Sequence, residues 1–316
     1  MMQLAPLCVD ADATANATQR AFLRMHRTQL TLIVLAAFVG VFPLATARPP
    51  VNWSGVIAAT LFGISLLLRL LMVQRKDEDV WYSARQTAEV SKSLCYRYAF
   101  GGPGFERALP GSGDEERAAV DSAAERRFVD AFATLGEDIV LVHDDSGADA
   151  SAGYGSGFRP DSFSEVTEDM HSIRTLAFAE LRSRYFDSRI RDQERWYAAK
   201  AAFHARRSQF WLTLMLVAEV AGMLFGILKA VQVLEGAPGE LVGLMSAFAA
   251  AFLAWSQLRQ HSMLASTYQH ETVLLRDLGR RVVFVDESDW PAFVGVAEDS
   301  INAEHARWQG LLGYGR

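Results

Sequence analysis

The feature that most constrains this chain is the distribution of its apolar residues, which gather into four stretches nearly free of charge, arranged as two closely spaced pairs. The first runs from Thr28 to Ala47, between Arg27 and Arg48, and its central LTLIVLAAFVGVF carries no ionisable group. At ~1.5 Å per residue such a helix reaches about 30 Å, the thickness of a bilayer's hydrocarbon core. Pro43 falls near its far end, where a helix stop or kink is tolerated. The second stretch extends from Val51 to about Leu71, with Arg69 in its last turns, from where a long side chain snorkels to the headgroups. The third runs from Ser208 to Leu228 and holds one acid, Glu219, near its middle. The fourth, Leu241 to Leu258, is short and alanine-rich, and alone it would also suit a buried helix of a large soluble domain. Two pairs of such stretches predict an all-α integral membrane protein with four transmembrane helices in two hairpins, at 28–74 and 208–258.

The flanking charges predict an orientation. Arg20, Arg24 and Arg27 precede the first span, and Arg75 and Lys76 follow the second, whereas the turn between them carries only Arg48. Lys200, Arg206 and Arg207 precede the third span and Arg259 follows the fourth; the turn between sets Glu235 and Glu240 against Lys229. Lys and Arg are retained on the cytoplasmic side, so both turns are expected outside and both termini in the cytoplasm. Trp53, Trp211 and Trp255 fall near span ends, as amphipathic rings at an interface do. LATA, ending at Ala47, has the form of a signal-cleavage site. The polar segment ahead of it is long and the apolar stretch is span-length, so cleavage is not the expectation.

The remaining sequence is charged and helical in pattern. A cytoplasmic segment, 1–27, leads into the first span. The helical region 75–142 follows the second span; along it Arg85, Glu89 and Lys92 recur at helical spacing beside a more apolar side of Trp81, Ala84, Ala88 and Cys95. Gly101-Gly102-Pro103 is a strong stop, and 114–135 forms another amphipathic helix opened by Asp114 to Glu116. Residues 143–162, rich in Gly, Ala, Ser and Asp, are expected to be a flexible loop. Its GYGSG lacks the following lysine and the strand-turn-helix setting of a phosphate cradle. A long cytoplasmic helix is expected at 163–207, running into the third span. The C-terminal helical region 259–316 follows the fourth, with a short β-rich run, VVFV, before a last helix bearing Glu298, Glu304, His305 and Trp308. Between Asp77 and Arg207 there are 24 acidic and 17 basic residues, as suits a solvated region. The net charge of -6 argues against a general nucleic-acid binder. Cys8 and Cys95 form no CxxC pair and read as idle thiols.

Before the third span stands YFDSRIRDQERWYAAKA, in which Tyr185, Arg189, Asp192, Gln193, Trp196, Tyr197, Lys200 and Ala201 make a recognisable pattern. It resembles the motif by which a helix approaches the membrane in the SLATT superfamily, in its DUF4231 branch. Trp81, Ala84-Arg85, Ala88-Glu89 and Lys92 through Tyr98 resemble a sister branch. The likeness covers about 20–100 and 170–316 and makes the chain a tandem of two-span modules. It implies a multi-pass protein of a bacterial inner membrane that forms a homo-oligomer and permeabilises the membrane. It further implies a trigger from a cytoplasmic sensor protein or nucleotide signal, in an antiviral conflict system. No sensor domain is recognisable in this chain.

Candidate residues follow from the membrane setting. A carboxylate at mid-membrane is costly unless it faces protein or water, so Glu219 is either a pore or ion-path residue or a hydrogen-bonded structural one. Gly55, Ala59 and Gly63, then Ala218, Gly222 and Gly226, then Gly243, Ala247 and Ala251 recur four apart and provide faces for close helix packing. Trp81, Arg85, Glu89 and Lys92, with Asp192, Gln193, Trp196 and Lys200, suit a juxtamembrane collar, and Arg191, Arg195 and Lys200 suit contact with anionic membrane lipids. The seven histidines (His26, His143, His171, His204, His261, His270 and His305) form no HExxH, and no GxSxG occurs, so neither an enzyme nor a cofactor or metal site is expected. The expected function is an oligomeric effector or ion channel passing ions through a pore. The alternative is a membrane-anchored structural or adaptor platform for a soluble partner.

Overall fold

The computed structural model describes residues 2–42, 51–75, 77–108, 111–145, 166–232 and 240–311. Helices form almost all of them, and no β-strand forms among the described residues. Helix α1 is Pro6–Val41 and opens at a proline, whose fixed φ and missing N–H suit a first helical turn. It carries the N-terminal segment into the first span without a break. Helix α2, Trp53–Arg75, is the second span, and α3, Asp77–Phe100, follows it. Helix α4, Asp114–Asp145, opens on three acids that complement its dipole. Then come α5, Glu168–Arg174, and α6, Phe178–Tyr185. A π-helical turn at Phe186–Arg191 leads to α7, Asp192–Ala230, the third span and its approach. Helix α8, Leu241–Arg259, is the fourth span; α9, His261–Arg281, and α10, Trp290–Leu311, complete the chain. Four of these helical runs are long and apolar enough to cross a membrane.

Three expectations need correction. The single helix at 163–207 is broken after Arg174. There Thr175 turns its hydroxyl back to the Ser172 carbonyl at 2.8 Å, and Arg107 takes the freed Leu176 carbonyl. Hydroxyls that compete for backbone partners in this way favour helix ends. The β-rich VVFV is instead a 3-10 turn, Val282–Phe284, with no strand beside it among the described residues; Arg182 donates to the Val283 and Val285 carbonyls at 3.2 and 3.1 Å. Helix α4 runs on to Asp145, so residues 143–145, expected in a loop, are helical, and 146–162 lie outside the described residues. Pro43, Ala47, Arg48 and Glu235 also lie outside them, as do the side chains of His143, Glu304, His305 and Trp308.

The chain divides into two compact units, each of which draws residues from both halves of the sequence. One, the helical unit, comprises Met1–Gln19, Asp77–Ala199 and Thr267–Arg316; the other, the span unit, comprises Arg20–Lys76 and Lys200–Ser266. The helical unit has one apolar core, built from Leu7 and Cys8 of α1, Tyr96 and Phe100 of α3, Phe128 and Phe132 of α4, Tyr185 of α6, Leu275 of α9, and Trp290 and Val294 of α10. The thiols of Cys8 and Cys95, 87 residues apart, lie 3.6 Å from one another inside it.

A buried guanidinium organises one side of this core. Arg174 donates to the carbonyls of Tyr98 and Phe105 at 2.6 and 2.9 Å, and to Asp121 Oδ1 at 2.8 Å, while lying 4.8 Å from the Tyr98 ring centre. It thereby ties the end of α3, the following turn and α4 to α5. Gly101 reverses the chain at φ +70°, a conformation that a side chain would oppose. Trp290 of α10 caps the same helix end, its Nε1 donating to the Phe100 carbonyl at 2.7 Å.

Candidate functional site

In the span unit, Glu219 is exposed. It shares one face of α7 with Leu212, Leu216 and Met223, spaced at three and four residues, and all of these are exposed. Its neighbours Val217 and Val220 are exposed too, at 60% and 52%. The carboxylate is therefore set in an apolar surface, where lipid cannot solvate it.

The small-residue faces divide by partner. Ala218 is buried, and a Cβ added at Gly222 would stand 3.3 Å from Met245 Cβ, so α7 and α8 approach closely there. Gly55, Ala59 and Gly63 of α2 are all exposed, and a Cβ at Gly63 would meet nothing within 4 Å. Gly243 is likewise exposed and open, while Ala247 and Ala251 are half-buried. One face thus packs within the chain, and another is exposed. Arg69 is exposed near the end of α2.

Near the end of α8, Gln260 adopts a left-handed φ of 45° and turns the chain into α9. This sets His261 against His204 of α7 with the two Nδ1 atoms 2.9 Å apart, and both side chains are buried. Burial, reinforced by the positive charge of Arg259, pushes each imidazole down to about 4, so the pair is neutral at physiological pH, one ring donating and the other accepting. On the α7 side of the pair, Arg207 lies over the rings of Phe203 and Phe210. Trp211 packs against Phe252 and Trp255 of α8 at 5.9 and 6.3 Å between ring centres.

In the helical unit, the motif before the third span finds its partner. Arg189 donates from Nε and Nη2 to the two carboxylate oxygens of Glu298 at 2.9 and 2.5 Å, and the Tyr185 hydroxyl donates to Oε1 at 3.0 Å. Arg189 and Glu298 are 1% and 0% exposed, so the pair is fully desolvated. The guanidinium also lies 4.4 Å from the Tyr96 ring centre. Burial opposes its charge, but Glu298 outweighs that and raises its pKa; burial and then Glu298 hold the Tyr185 phenol well above its usual range. The motif residues lock α10 to the helix that enters the third span.

The proposed collar residues take separate partners. Arg85 reaches Asp12 of α1 at 3.0 Å and Glu89 at 2.7 Å. Trp196 packs edge-on against Tyr268 of α9 at 5.8 Å, and the neighbouring Glu194 pairs with Arg276. Asp192 opens α7, while Lys200 belongs to the span unit. Sequence reasoning did not find Glu298, Arg174 or the histidine pair as connected groups. Each is joined through residues more than fifty positions away, and no local pattern marks such a contact. No group of three or more His, Cys, Asp or Glu able to hold a metal occurs among the described residues.

Four span-length helices and a charged helical unit stapled through a buried Arg-Glu pair define an all-α, multi-pass membrane protein. Residues 6–182 match SMODS and SLOG-associating 2TM effector domain 3, and residues 185–308 match SMODS and SLOG-associating 2TM effector domain 1. The chain belongs to the SLATT family of membrane effectors, as a tandem of two such domains. Comparison with curated proteins and with solved structures gives no match.

Proposed function

We propose that the protein is an oligomeric effector of a bacterial inner membrane that conducts ions when a cytoplasmic signal assembles or opens it. The observation that carries this reading is Glu219, exposed on the outer face of a span among Leu212, Leu216 and Met223. A carboxylate at that depth costs several kcal/mol against hydrocarbon, so its proper neighbour is another subunit or water. The exposed Gly55, Ala59 and Gly63 face supplies a second surface for close helix association. In the assembly Glu219 lines, or lies beside, the ion path and favours cations.

The orientation follows the same reading. Arg27, Arg207 and Arg259 flank three different spans and line one cleft, which supports their lying on one side of the membrane. By the retention of basic residues inside, that side is the cytoplasm and both termini lie there. A trigger from a nucleotide-signal synthase or sensor fits the SMODS- and SLOG-associated description of the matched domains. The effector needs no catalytic step and no cofactor.

The test is conductance of the purified protein in planar bilayers, with stoichiometry measured on the same preparation. Discrete conductance from a defined oligomer is expected, and Glu219→Gln lowers the preference for cations severalfold. A monomer that stays silent with added nucleotide and lysate would turn the reading to an anchored platform for a soluble partner. A pore whose selectivity ignores Glu219→Gln would remove that residue from the ion path.

A further inference from the structure

Within the span unit, α1, α7 and α8 enclose a cleft of about 810 Å³. Its composition changes along its length. Arg27, Arg207, Arg259 and His261 line it at the level where the apolar stretches begin or end, and among the described residues the lining includes no carboxylate. Beyond them the walls are apolar, formed by Leu35 and Phe38 of α1 and by Phe248, Ala251 and Phe252 of α8, with Trp211 and Trp255 between the two regions. Helices α1 and α8 each contribute the stretch from arginine to phenylalanine, Arg27 to Phe38 and Arg259 back to Phe248. At ~1.5 Å per residue that stretch spans about 16 Å of membrane depth. The chains run in opposite sense through it, so the arginines share one end and Phe38 and Phe248 share the other.

We propose that this cleft binds an anionic glycerophospholipid, its phosphate held by Arg27, Arg207 and Arg259 and one acyl chain lying along Phe38, Phe248 and Phe252. Guanidinium groups suit a phosphate through paired charge-assisted hydrogen bonds. The volume is that of a small-molecule site, and basic pockets between spans on the cytoplasmic side suit anionic headgroups. The Arg207 guanidinium lies over the Phe203 ring, 5.6 Å from its centre, and Phe203 is itself part of the lining. The aromatic band at Trp211 and Trp255 matches the headgroup-to-chain boundary, where amphipathic rings are favoured. A zwitterionic lipid would bring a quaternary amine to the same arginines, which disfavours it. A water-soluble phosphate would leave the apolar part of the cleft without a partner. The bound lipid joins the first span to the second pair of spans, so it links the two effector domains inside the membrane.

The inference rests on the membrane placement of the spans and is independent of pore formation. Its test uses the whole purified chain, equilibrated in detergent with equal amounts of dioleoyl phosphatidylglycerol and dioleoyl phosphatidylcholine, with retained lipid counted by native mass spectrometry. Phosphatidylglycerol is expected to be retained preferentially. Arg207→Gln and Arg27→Gln each lower that preference about fivefold, the contribution of one basic residue near an anionic surface. Arg207→Lys keeps most of it, and Arg69→Gln, outside the cleft, leaves it unchanged. Phosphatidylglycerol brominated in mid-chain is expected to quench tryptophan fluorescence more than the brominated phosphatidylcholine does, and Trp211→Phe with Trp255→Phe removes that excess. Equal retention of the two lipids, or a preference that survives loss of both Arg27 and Arg207, overturns the proposal. So does binding of glycerol phosphate as tightly as the whole lipid. Selective lipid retention by a protein silent in bilayers would remove the pore and keep this site; conductance without lipid preference would do the reverse.

Discussion

Arg189 and Glu298 show what a buried pair contributes when its geometry is good. Each is fully enclosed, and the two-pronged contact is supplemented by the Tyr185 hydroxyl. Removing one partner strands the other charge in the core. Glu298→Ala is therefore expected to cost about 3–5 kcal/mol, read as a large fall in thermal unfolding temperature in detergent. Replacing both, as Arg189→Met with Glu298→Leu, should recover much of that loss, because the desolvation cost disappears with the charges. A double variant no more stable than Glu298→Ala would contradict this account. The histidine pair makes a prediction with a direction in pH. Both imidazoles are held at about 4 in the fold, against about 6.5 in an unfolded chain. Between those values the unfolded chain binds protons that the fold excludes, so stability falls as pH drops from 6.5 towards 4 and is flat above 7. Arg259, Lys200 and Arg207 are the charges that reinforce the exclusion. Unfolding temperatures of wild type and His204→Gln/His261→Gln across pH 5–8 check it: the wild-type slope should be steeper than the variant's.

Elements are decided partly by what crosses them, and α10 illustrates this. A Cβ at Gly295 would stand 2.6 Å from Pro103 Cγ, a ring that cannot move aside, so the α10 backbone must pass the turn after α3 without a side chain. Gly295→Ala should destabilise by about 1–3 kcal/mol despite alanine's better helix propensity. Gly63→Ala, with open space around it, should leave unfolding nearly unchanged. Comparative thermal unfolding of the two variants decides the point. The four spans were legible in the sequence because lipid demands length and apolarity from each segment by itself, and these are local properties. The break after Arg174 was not legible. EVTEDMHSIRTLAFAEL keeps a helical periodicity throughout, and the interruption depends on Thr175 and on Arg107, which comes from another part of the chain. VVFV misled for the complementary reason: its β-branched residues favour a strand, but a strand needs a neighbour, and the structure offers Arg182 instead. Glu219 was legible as an anomaly. Which way it faced depended on how α7 packs against α8, information carried by Ala218, Gly222 and Met245 together.

At the scale of the whole molecule, the two effector domains follow one another in sequence but do not form separate bodies. The matches divide the chain between residues 182 and 185, whereas the compact units each draw residues from both sides of that division. In the helical unit the shared core is intimate. The Tyr185 ring meets Phe100 at 5.1 Å and Tyr96 at 6.5 Å, Trp290 caps α3, and Arg97 reaches Asp299 at 2.5 Å. A half ending before Tyr185 would expose Tyr96, Phe100 and Phe128 to water, and the other half would expose Tyr185, Leu275 and Trp290. Apolar area of that kind stabilises by about 25 cal/mol per Å² once buried, and neither half can bury it alone. Expressed separately, the halves 1–183 and 184–316 are therefore expected to aggregate or to lack a cooperative unfolding transition. Co-expressed, with a purification tag on only one, they should copurify in equal amounts and recover the unfolding behaviour of the intact chain. Two halves that each purify as folded, monodisperse proteins would show that the shared core is dispensable. Copurification would show that the helices adjoining all four spans, α1, α3, α7 and α9, are held by one core that neither domain builds alone.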